Sequence, residues 1–212
     1  MQRYFSRAYL RDDGWPIQKS LDADMPNLLQ RLGAGTLWTL SLYRFGPQLF
    51  LYHEACGGAQ PRELLPSLEP ALLEWPSDQG RPRTWANMTP VYLAAMPPAD
   101  AAPWREPDAA RHPRGMLLRL KPDMVSSYVY WHYLRQEEAR WVENKHVAIA
   151  LHENFLFYYD ELPPIAASRR GAFHTRRTPA DWDALMEPHF LYWEDVAPEY
   201  KRKRPLECLI SL

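Results

Sequence analysis

The chain repeats one order of candidate elements in its two halves, and this repeat restricts the possible folds more than any other feature. Residues 36–55, TLWTLSLYRFGPQLFLYHEA, read as two strands with a turn at Gly46-Pro47. Residues 145–161, KHVAIALHENFLFYYDE, read as two strands around a tighter turn near Glu153-Asn154. Two short apolar or aromatic runs around a polar break are typical of a β-hairpin. The sequence therefore predicts one hairpin in each half.

The segments around the hairpins extend the match. Strand candidates at residues 3–10 and 114–120 each lead into a helix candidate that precedes the hairpin. After the hairpins, NMTPVYL at 87–93 matches LMEPHFL at 185–191, and this pair is predicted to mark the second helix of each half. Residues 206–212, LECLISL, add a terminal strand. The order βαββαβ is that of ferredoxin-like α+β folds, in which helices cover one face of an antiparallel sheet.

The predicted domain organisation follows from this repeat. Residues 1–96 form a first ferredoxin-like repeat and residues 114–212 form a second one. Residues 97–113 are rich in proline and alanine and are predicted to be a linker. A single large α+β domain is the alternative for a chain of 212 residues.

Charge and cysteine content exclude several classes of protein. The formal net charge of −1 argues against nucleic acid as a partner, which requires a strongly basic face. The basic run Lys201–Arg204 is expected to be a solvated loop. Cys56 and Cys208 have no second cysteine nearby, so neither a metal site nor a disulfide framework is expected. Without an apolar leader or a membrane-length apolar run, the chain is predicted to be cytoplasmic, with no membrane partner.

One predicted helix carries residues suited to proton transfer. Pro122-Asp123 is typical of a helix start, and Val125, Tyr128, His132 and Arg135 would then share one face. Histidine, with an ordinary pKa of about 6.5, both accepts and donates protons near neutral pH, and tyrosine is a hydrogen-bond donor. Packing between the two rings is the alternative interpretation of this pair. The nine tryptophans and twelve tyrosines of the chain fit a sugar-stacking pocket or a bulky core.

The same segment resembles the first helix of the L-rhamnose mutarotases. The resemblance rests on Pro122-Asp123, on Tyr128 six residues after the proline and on His132 ten residues after it. Those proteins are small and ferredoxin-like, and they pair as dimeric α+β barrels. The resemblance implies that His132 is the proton-transfer residue and that Tyr128 is its catalytic partner.

The resemblance covers residues 114–212. Residues 146–161 are similar to the central hairpin of the family, and HFLYWEDV at 189–196 resembles its second-helix segment, which helps to form the sugar pocket. At the position of the family's paired tryptophans this chain has His189-Phe190. The implied substrate-binding residues are Tyr192, Trp193, His189 and Arg135.

The implied function is aldose mutarotation, which interconverts the α and β anomers of a rhamnose-like monosaccharide without metal or cofactor. Two fused repeats would complete the barrel within one chain, so a monomer is expected. In the first repeat, Ile17 and Leu21 align with Tyr128 and His132, so that half is predicted to be catalytically degenerate. The alternative is a dimeric α+β barrel that binds a small molecule or haem without catalysis, because a fold does not fix a function.

Overall fold

The computed structural model of the chain describes residues 1–76, 80, 82–97, 104–105, 110–169 and 174–212. Most of the predicted linker, residues 98–103 and 106–109, lies outside the described residues. The chain divides into two compact units. Unit 1 contains the described residues of Met1–Met88, Pro97–Trp104 and Glu207–Leu212, and unit 2 contains those of Thr89–Met96 and Arg105–Leu206.

The described elements form a mixed α+β fold with antiparallel sheets, in keeping with the ferredoxin-like class. The helices in chain order are α1 (Ile17–Gly33), α2 (Pro61–Leu64), α3 (Val125–Glu138) and α4 (Trp182–Met186). The strands in chain order are β1 (Gln2–Tyr9), β2 (Leu37–Phe45), β3 (Gln48–Ala55), β4 (Ala86–Asn87), β5 (Thr89–Leu93), β6 (His112–Leu120), β7 (Trp141–Val142), β8 (Ala148–His152), β9 (Phe155–Leu162), β10 (Ala167–Ser168), β11 (Phe190–Leu191), β12 (Arg204–Pro205) and β13 (Glu207–Ser211). Within the described residues, no helix is both long enough and apolar enough to cross a membrane.

Unit 1 has a five-stranded sheet in the order β13-β2-β3-β1-β4. The predicted hairpin of the first half is confirmed, because Phe45 pairs with Gln48 across a turn at Gly46-Pro47. Gly46 has a φ of 54°, which a residue without a Cβ adopts at little cost.

Helix α1 belongs to the core of unit 1. Its apolar residues Ile17, Leu21 and Leu28 recur on one face of the helix, and all three are buried. Leu21 has no exposed surface, so the residue aligned with His132 has a packing role in unit 1.

Unit 2 has a larger sheet in the order β11-β6-β9-β8-β5, in which β12 also pairs with β6. The second predicted hairpin is confirmed at β8 and β9, with Glu153 at a φ of 57° in the turn. The Asn154 side chain donates a hydrogen bond of 3.0 Å to the carbonyl of Leu120, and the Leu120 amide donates one of 2.8 Å to the Asn154 carbonyl. This turn is therefore tied to the end of β6, directly before α3.

Two edge strands lie in a different unit from the one that the sequence suggested. Strand β5, from the predicted first repeat, pairs with β8 in unit 2. Strand β13, from the predicted second repeat, pairs with β2 in unit 1. An amphipathic pattern shows that a strand has an apolar face, but it does not specify which of two similar sheets the strand will join.

The second helix of each half was placed incorrectly from the sequence. Residues 87–93 are mostly extended, in β4 and β5, because Pro90 and β-branched Val91 suit an edge strand better than a helix. Residues 189–196 include the two-residue strand β11, in which Phe190 pairs with Leu120, and then an irregular segment. The helical residues before β11 are those of α4 and of the 3-10 turn Glu187–His189 that follows it.

One buried sequence pattern occurs in both units. Phe-x-Tyr-x-Glu lies at residues 50–54 in β3 and at residues 157–161 in β9. In each copy the tyrosine hydroxyl donates a hydrogen bond to the glutamate two residues later, and the glutamate is at most 2% exposed. The repeat therefore extends from the order of elements to a specific buried hydrogen bond.

Candidate functional site

Helix α3 places Tyr128 and His132 side by side. Pro122–Met124 forms a 3-10 turn that leads into α3, where a proline without an N–H is tolerated. Residues four apart lie on the same face of a helix, and the two rings are stacked with centroids 3.9 Å apart. Both side chains are buried, with 1% and 6% of their surface exposed. The helix and the pairing were predictable from their spacing.

A cavity of about 780 Å³ adjoins this pair, and its lining residues all belong to unit 2. Its size is within the usual range for small-molecule sites. Its aromatic lining residues are Tyr92, Tyr128, Trp141, Tyr158, Trp182 and Phe190. Its charged lining residues are Arg114, Arg135, Glu143, Asp160, Asp183, Arg202 and Lys203. The cavity thus combines aromatic walls with several fixed charges.

His132 is a neutral hydrogen-bond acceptor. Its Nδ1 lies 3.1 Å from the Tyr128 carbonyl oxygen, which accepts the Nδ1 proton and leaves a lone pair on Nε2. Burial lowers the pKa of His132 to about 3; the hydrogen bond to Tyr128 opposes this effect, and the nearby charge of Arg135 adds to it. At neutral pH the ring therefore presents an uncharged acceptor.

Tyr128 supplies a donor next to that acceptor. Burial raises the pKa of Tyr128, so its hydroxyl stays protonated across the physiological range. Among the described residues, the Tyr128 hydroxyl has no hydrogen-bond partner. Hydroxyl groups in protein interiors normally have one. A polar ligand in the cavity could satisfy both this hydroxyl and the Nε2 of His132.

Aromatic rings border His132 on two further sides. The Trp182 ring approaches it edge-on with a centroid distance of 4.9 Å, and the Tyr92 ring does so at 6.0 Å. The guanidinium of Arg135 lies 4.2 Å from the Trp182 ring centroid, within the range of a cation–π contact. Arg135, predicted to bind substrate, therefore lines the cavity together with its aromatic partner.

A second polar cluster lines the cavity at the β6–β9 pair. Arg114 donates two hydrogen bonds to Asp160, of 2.8 and 2.6 Å, and Tyr158 donates one of 3.0 Å to the same carboxylate. The hydrogen bond to Asp160 raises the pKa of Arg114, and burial raises the pKa of Tyr158. The ammonium group of Lys203 lies 4.4 Å from the Tyr158 ring centroid.

Three of the residues implied by the resemblance lie outside this lining. His189 is buried, with its ring nitrogens 3.2 Å from the Met186 carbonyl and 3.0 Å from the Ser127 hydroxyl. Its ring centroid is 6.0 Å from that of Tyr128, so His189 packs against a lining residue without lining the cavity itself. Through its contact with Ser127, His189 helps to fix the position of α3.

Tyr192 and Trp193 are held by other partners. The Tyr192 hydroxyl donates to the Glu187 carboxylate, and the Trp193 indole N–H donates to the Leu117 carbonyl at 3.2 Å. Arg119 stacks on the Trp193 ring with a distance of 4.0 Å to its centroid. Tyr192 and Trp193 thus contact other residues, and neither lines the cavity.

Several lining residues were not identified from the sequence. Arg114 and Asp160 are 46 positions apart, and only the β6–β9 register brings them together. Lys203 belongs to the basic run expected to be a solvated loop, but it is half-buried and lines the cavity. The alternating apolar pattern of β6 was the one available signal, because it predicts which face of the strand is buried.

The buried histidine makes the stability of the protein sensitive to acid. The folded-state pKa of His132, about 3, lies below the unfolded value of about 6.5, so the unfolded chain binds a proton that the folded one excludes. Stability is therefore complete above pH 6.5 and falls as the pH decreases toward 3. We expect His132 to contribute on the order of 2 kcal/mol to the loss between pH 7 and pH 5.

Urea unfolding at these two pH values measures this contribution. His132→Asn keeps a donor near the Nδ1 position and removes the titration, so its loss of stability should be smaller than that of the wild type. His112→Asn, at an exposed histidine of β6, is the matched control and should behave like the wild type. Equal losses in the wild type and His132→Asn would contradict a neutral buried His132.

Comparisons with known proteins give few matches. No family model and no curated protein matches the chain. A candidate monooxygenase from Lactobacillus acidophilus NCFM has a TM-score of 0.43 and 7% identity, with 100% of this chain and 94% of that chain covered. A candidate monooxygenase from Fusobacterium nucleatum subsp. nucleatum has a TM-score of 0.45 and 9% identity, with 99% of this chain and 93% of that chain covered.

Proposed function

We propose that unit 2 binds a monosaccharide and interconverts its anomers by cofactor-free acid–base chemistry. The observation that carries this proposal is a pair of groups on the wall of one cavity: the neutral acceptor of His132 and the hydroxyl of Tyr128, which has no hydrogen-bond partner in the residues that the structure describes. The resemblance of residues 114–212 to the L-rhamnose mutarotases supports the same assignment. An aldose carries a hydroxyl donor and a ring-oxygen acceptor on adjacent positions, which complements this pair.

The proposed reaction needs a base and an acid. His132 Nε2 accepts the proton of the anomeric hydroxyl while the Tyr128 hydroxyl transfers its proton to the ring oxygen. The bond between C1 and the ring oxygen breaks, giving the open-chain aldehyde. C1 turns, and the ring closes on the other face as the attacking hydroxyl returns its proton to Tyr128 and His132 returns the other proton to the carbonyl oxygen.

The low basicity of His132 constrains how this reaction proceeds. A base with a pKa of about 3 does not hold a full proton at neutral pH, so a separate imidazolium intermediate is costly. Proton removal and donation to the ring oxygen must therefore be concerted. The aromatic rings of Tyr92 and Trp182 offer apolar faces to the C–H groups of the sugar during this step.

Saturation-transfer NMR across a panel of aldoses tests the function directly. The method saturates one anomer and detects the loss of signal from the other, so it reports exchange between them. We expect at least one aldose to exchange faster with the protein than in buffer alone. Exchange at the buffer rate for every aldose would contradict the proposed mutarotation.

Haem binding is a second candidate, and the hydrogen bond of His132 favours it. Metal-binding histidines usually donate their other ring N–H to a carbonyl or carboxylate, as Nδ1 does here. His132 Nε2 would hold the iron, and the cationic lining residues would face the propionates. Bound haem supplies redox and oxygen chemistry. A Soret band on titration with haemin, absent from His132→Ala, would favour this candidate over mutarotation.

We also propose that the chain is a tandem of two ferredoxin-like repeats that complete an intramolecular α+β barrel. The shared strand order supports this proposal: β2-β3-β1-β4 in unit 1 corresponds to β8-β9-β6-β11 in unit 2. The buried Phe-x-Tyr-x-Glu pattern supports it independently. A fused pair needs no second chain, so the sedimentation mass should equal that of a monomer, 24.9 kDa.

A further inference from the structure

Lys203 is a lining residue of the cavity to which the proposed reaction gives no role. It lies in the segment before β12 and is half-buried. Its ammonium group stands 4.4 Å from the Tyr158 ring centroid, beside the Arg114–Asp160 pair. The cation therefore has an aromatic neighbour inside the same cavity as His132.

Lys203 forms neither an ion pair nor a hydrogen bond with any described residue. The nearby Asp160 carboxylate already accepts from Arg114 and Tyr158. The Asp183 carboxylate lies 3.4 Å from Arg202. A partly desolvated ammonium without a direct ion pair is unfavourable: burial lowers the pKa of Lys203, and the charges of Asp160 and Asp183 oppose this effect without reversing it.

The charges of the lining favour an anionic occupant. Four cationic side chains and three carboxylates line the cavity. Arg114 is ion-paired with Asp160 and Arg202 lies 3.4 Å from Asp183, whereas Lys203 has no ion pair within the described part of the chain. An anionic group of a ligand would supply the missing counter-ion, and an ammonium accepts a carboxylate or a phosphate equally as a point charge.

We propose that Lys203 binds the anionic group of an acidic sugar, so that the substrate class is a uronate or a sugar phosphate. This proposal rests on the function proposed above and specifies its ligand. The sugar ring would face Tyr128 and His132, and its anionic substituent would face Lys203. A neutral aldose would leave the ammonium without a counter-ion.

Calorimetric binding of matched sugars tests this assignment. Galactose, galacturonate and galactose 6-phosphate differ only at C6, and the glucose and mannose series provide the same comparison. We expect one anionic member to bind about 10–100-fold more tightly than its neutral counterpart, as a charge-assisted hydrogen bond would provide. Preference for the uronate or for the phosphate identifies the source of the anion.

Variants at Lys203 isolate its contribution. In Lys203→Gln the anionic and neutral sugars should bind within about 3-fold of one another, because the anionic sugar loses its counter-charge. In Lys203→Arg, which keeps the charge, the preference should persist. An equal thermal midpoint for the three proteins shows that folding is intact. A wild type without preference for any anionic sugar, or a preference that survives Lys203→Gln, would overturn the proposal.

Binding and exchange are measured separately, so the two proposals can fail separately. A lysine-dependent preference for anionic sugars without anomer exchange supports the anion site and counts against mutarotation. Exchange without such a preference supports mutarotation and counts against the anion site.

Discussion

Replacing His132 by alanine is expected to slow anomer exchange by about 10²-fold or more, because a positioned acid–base group contributes roughly 10²–10⁴-fold. The structure places the Nε2 acceptor of His132 on the cavity wall, and the substitution removes the only ring with that acceptor on this face of α3 in the described residues. Saturation-transfer NMR of the folded variant measures the change. The thermal midpoint of the same sample shows how much of any loss comes from unfolding.

Two further variants serve as controls for this prediction. Tyr128→Phe keeps the stacked ring and removes one hydrogen-bond donor, so its effect on exchange should be smaller but measurable. Leu21→Ala, in the core of unit 1, should lower the free energy of unfolding by about 2–5 kcal/mol and leave exchange per folded molecule unchanged.

The packing interpretation of the pair predicts a different result. Tyr128 belongs to the apolar core of unit 2, and the His132 ring stacks on it. If this contact were its only role, His132→Ala would lower stability and leave exchange unchanged. Exchange at the wild-type rate in well-folded His132→Ala would therefore withdraw the catalytic assignment.

The parts of the fold that depend on local sequence were predictable. The turns at Gly46-Pro47 and Glu153-Asn154 have local signatures, because glycine and asparagine-containing turns interrupt apolar runs. The stacking of Tyr128 on His132 follows from helix geometry alone, since residues four apart lie on one face. These features depend on neighbours within a few residues.

The rest of the site depends on contacts between distant residues. Arg114 meets Asp160 only because β6 and β9 pair in one particular register. Lys203 lies at the cavity only because β12 pairs with β6, and Lys203 is the residue directly before β12. Sequence periodicity assigns a side chain to a face of a strand, but it does not specify which distant side chain will lie beside it. The same limit explains why the sequence did not predict the pairing of β5 with β8 or of β13 with β2.

The largest stability effect in unit 2 is expected from Glu161→Ala. Glu161 is 2% exposed, and its carboxylate accepts a hydrogen bond of 2.6 Å from Tyr159 and lies 2.6 Å from the Arg105 guanidinium. Arg105 is itself 8% exposed, so the substitution leaves a buried guanidinium without this carboxylate. Removing one partner of a buried ion pair typically costs about 3–5 kcal/mol, because the remaining charge stays desolvated.

Urea unfolding monitored by circular dichroism measures this loss, and two variants show its origin. Glu161→Gln keeps the volume and the acceptor for Tyr159 but removes the charge, so a loss close to that of Glu161→Ala would assign the effect to the buried charge. Glu194→Ala, at an exposed glutamate of the same unit, should change the free energy of unfolding by no more than about 0.5 kcal/mol. A Glu161→Ala protein as stable as Glu194→Ala would show that the Arg105–Glu161 pair does not stabilise the unit. A large loss would instead assign the buried glutamate of the Phe-x-Tyr-x-Glu pattern a structural role, separate from the chemistry of His132.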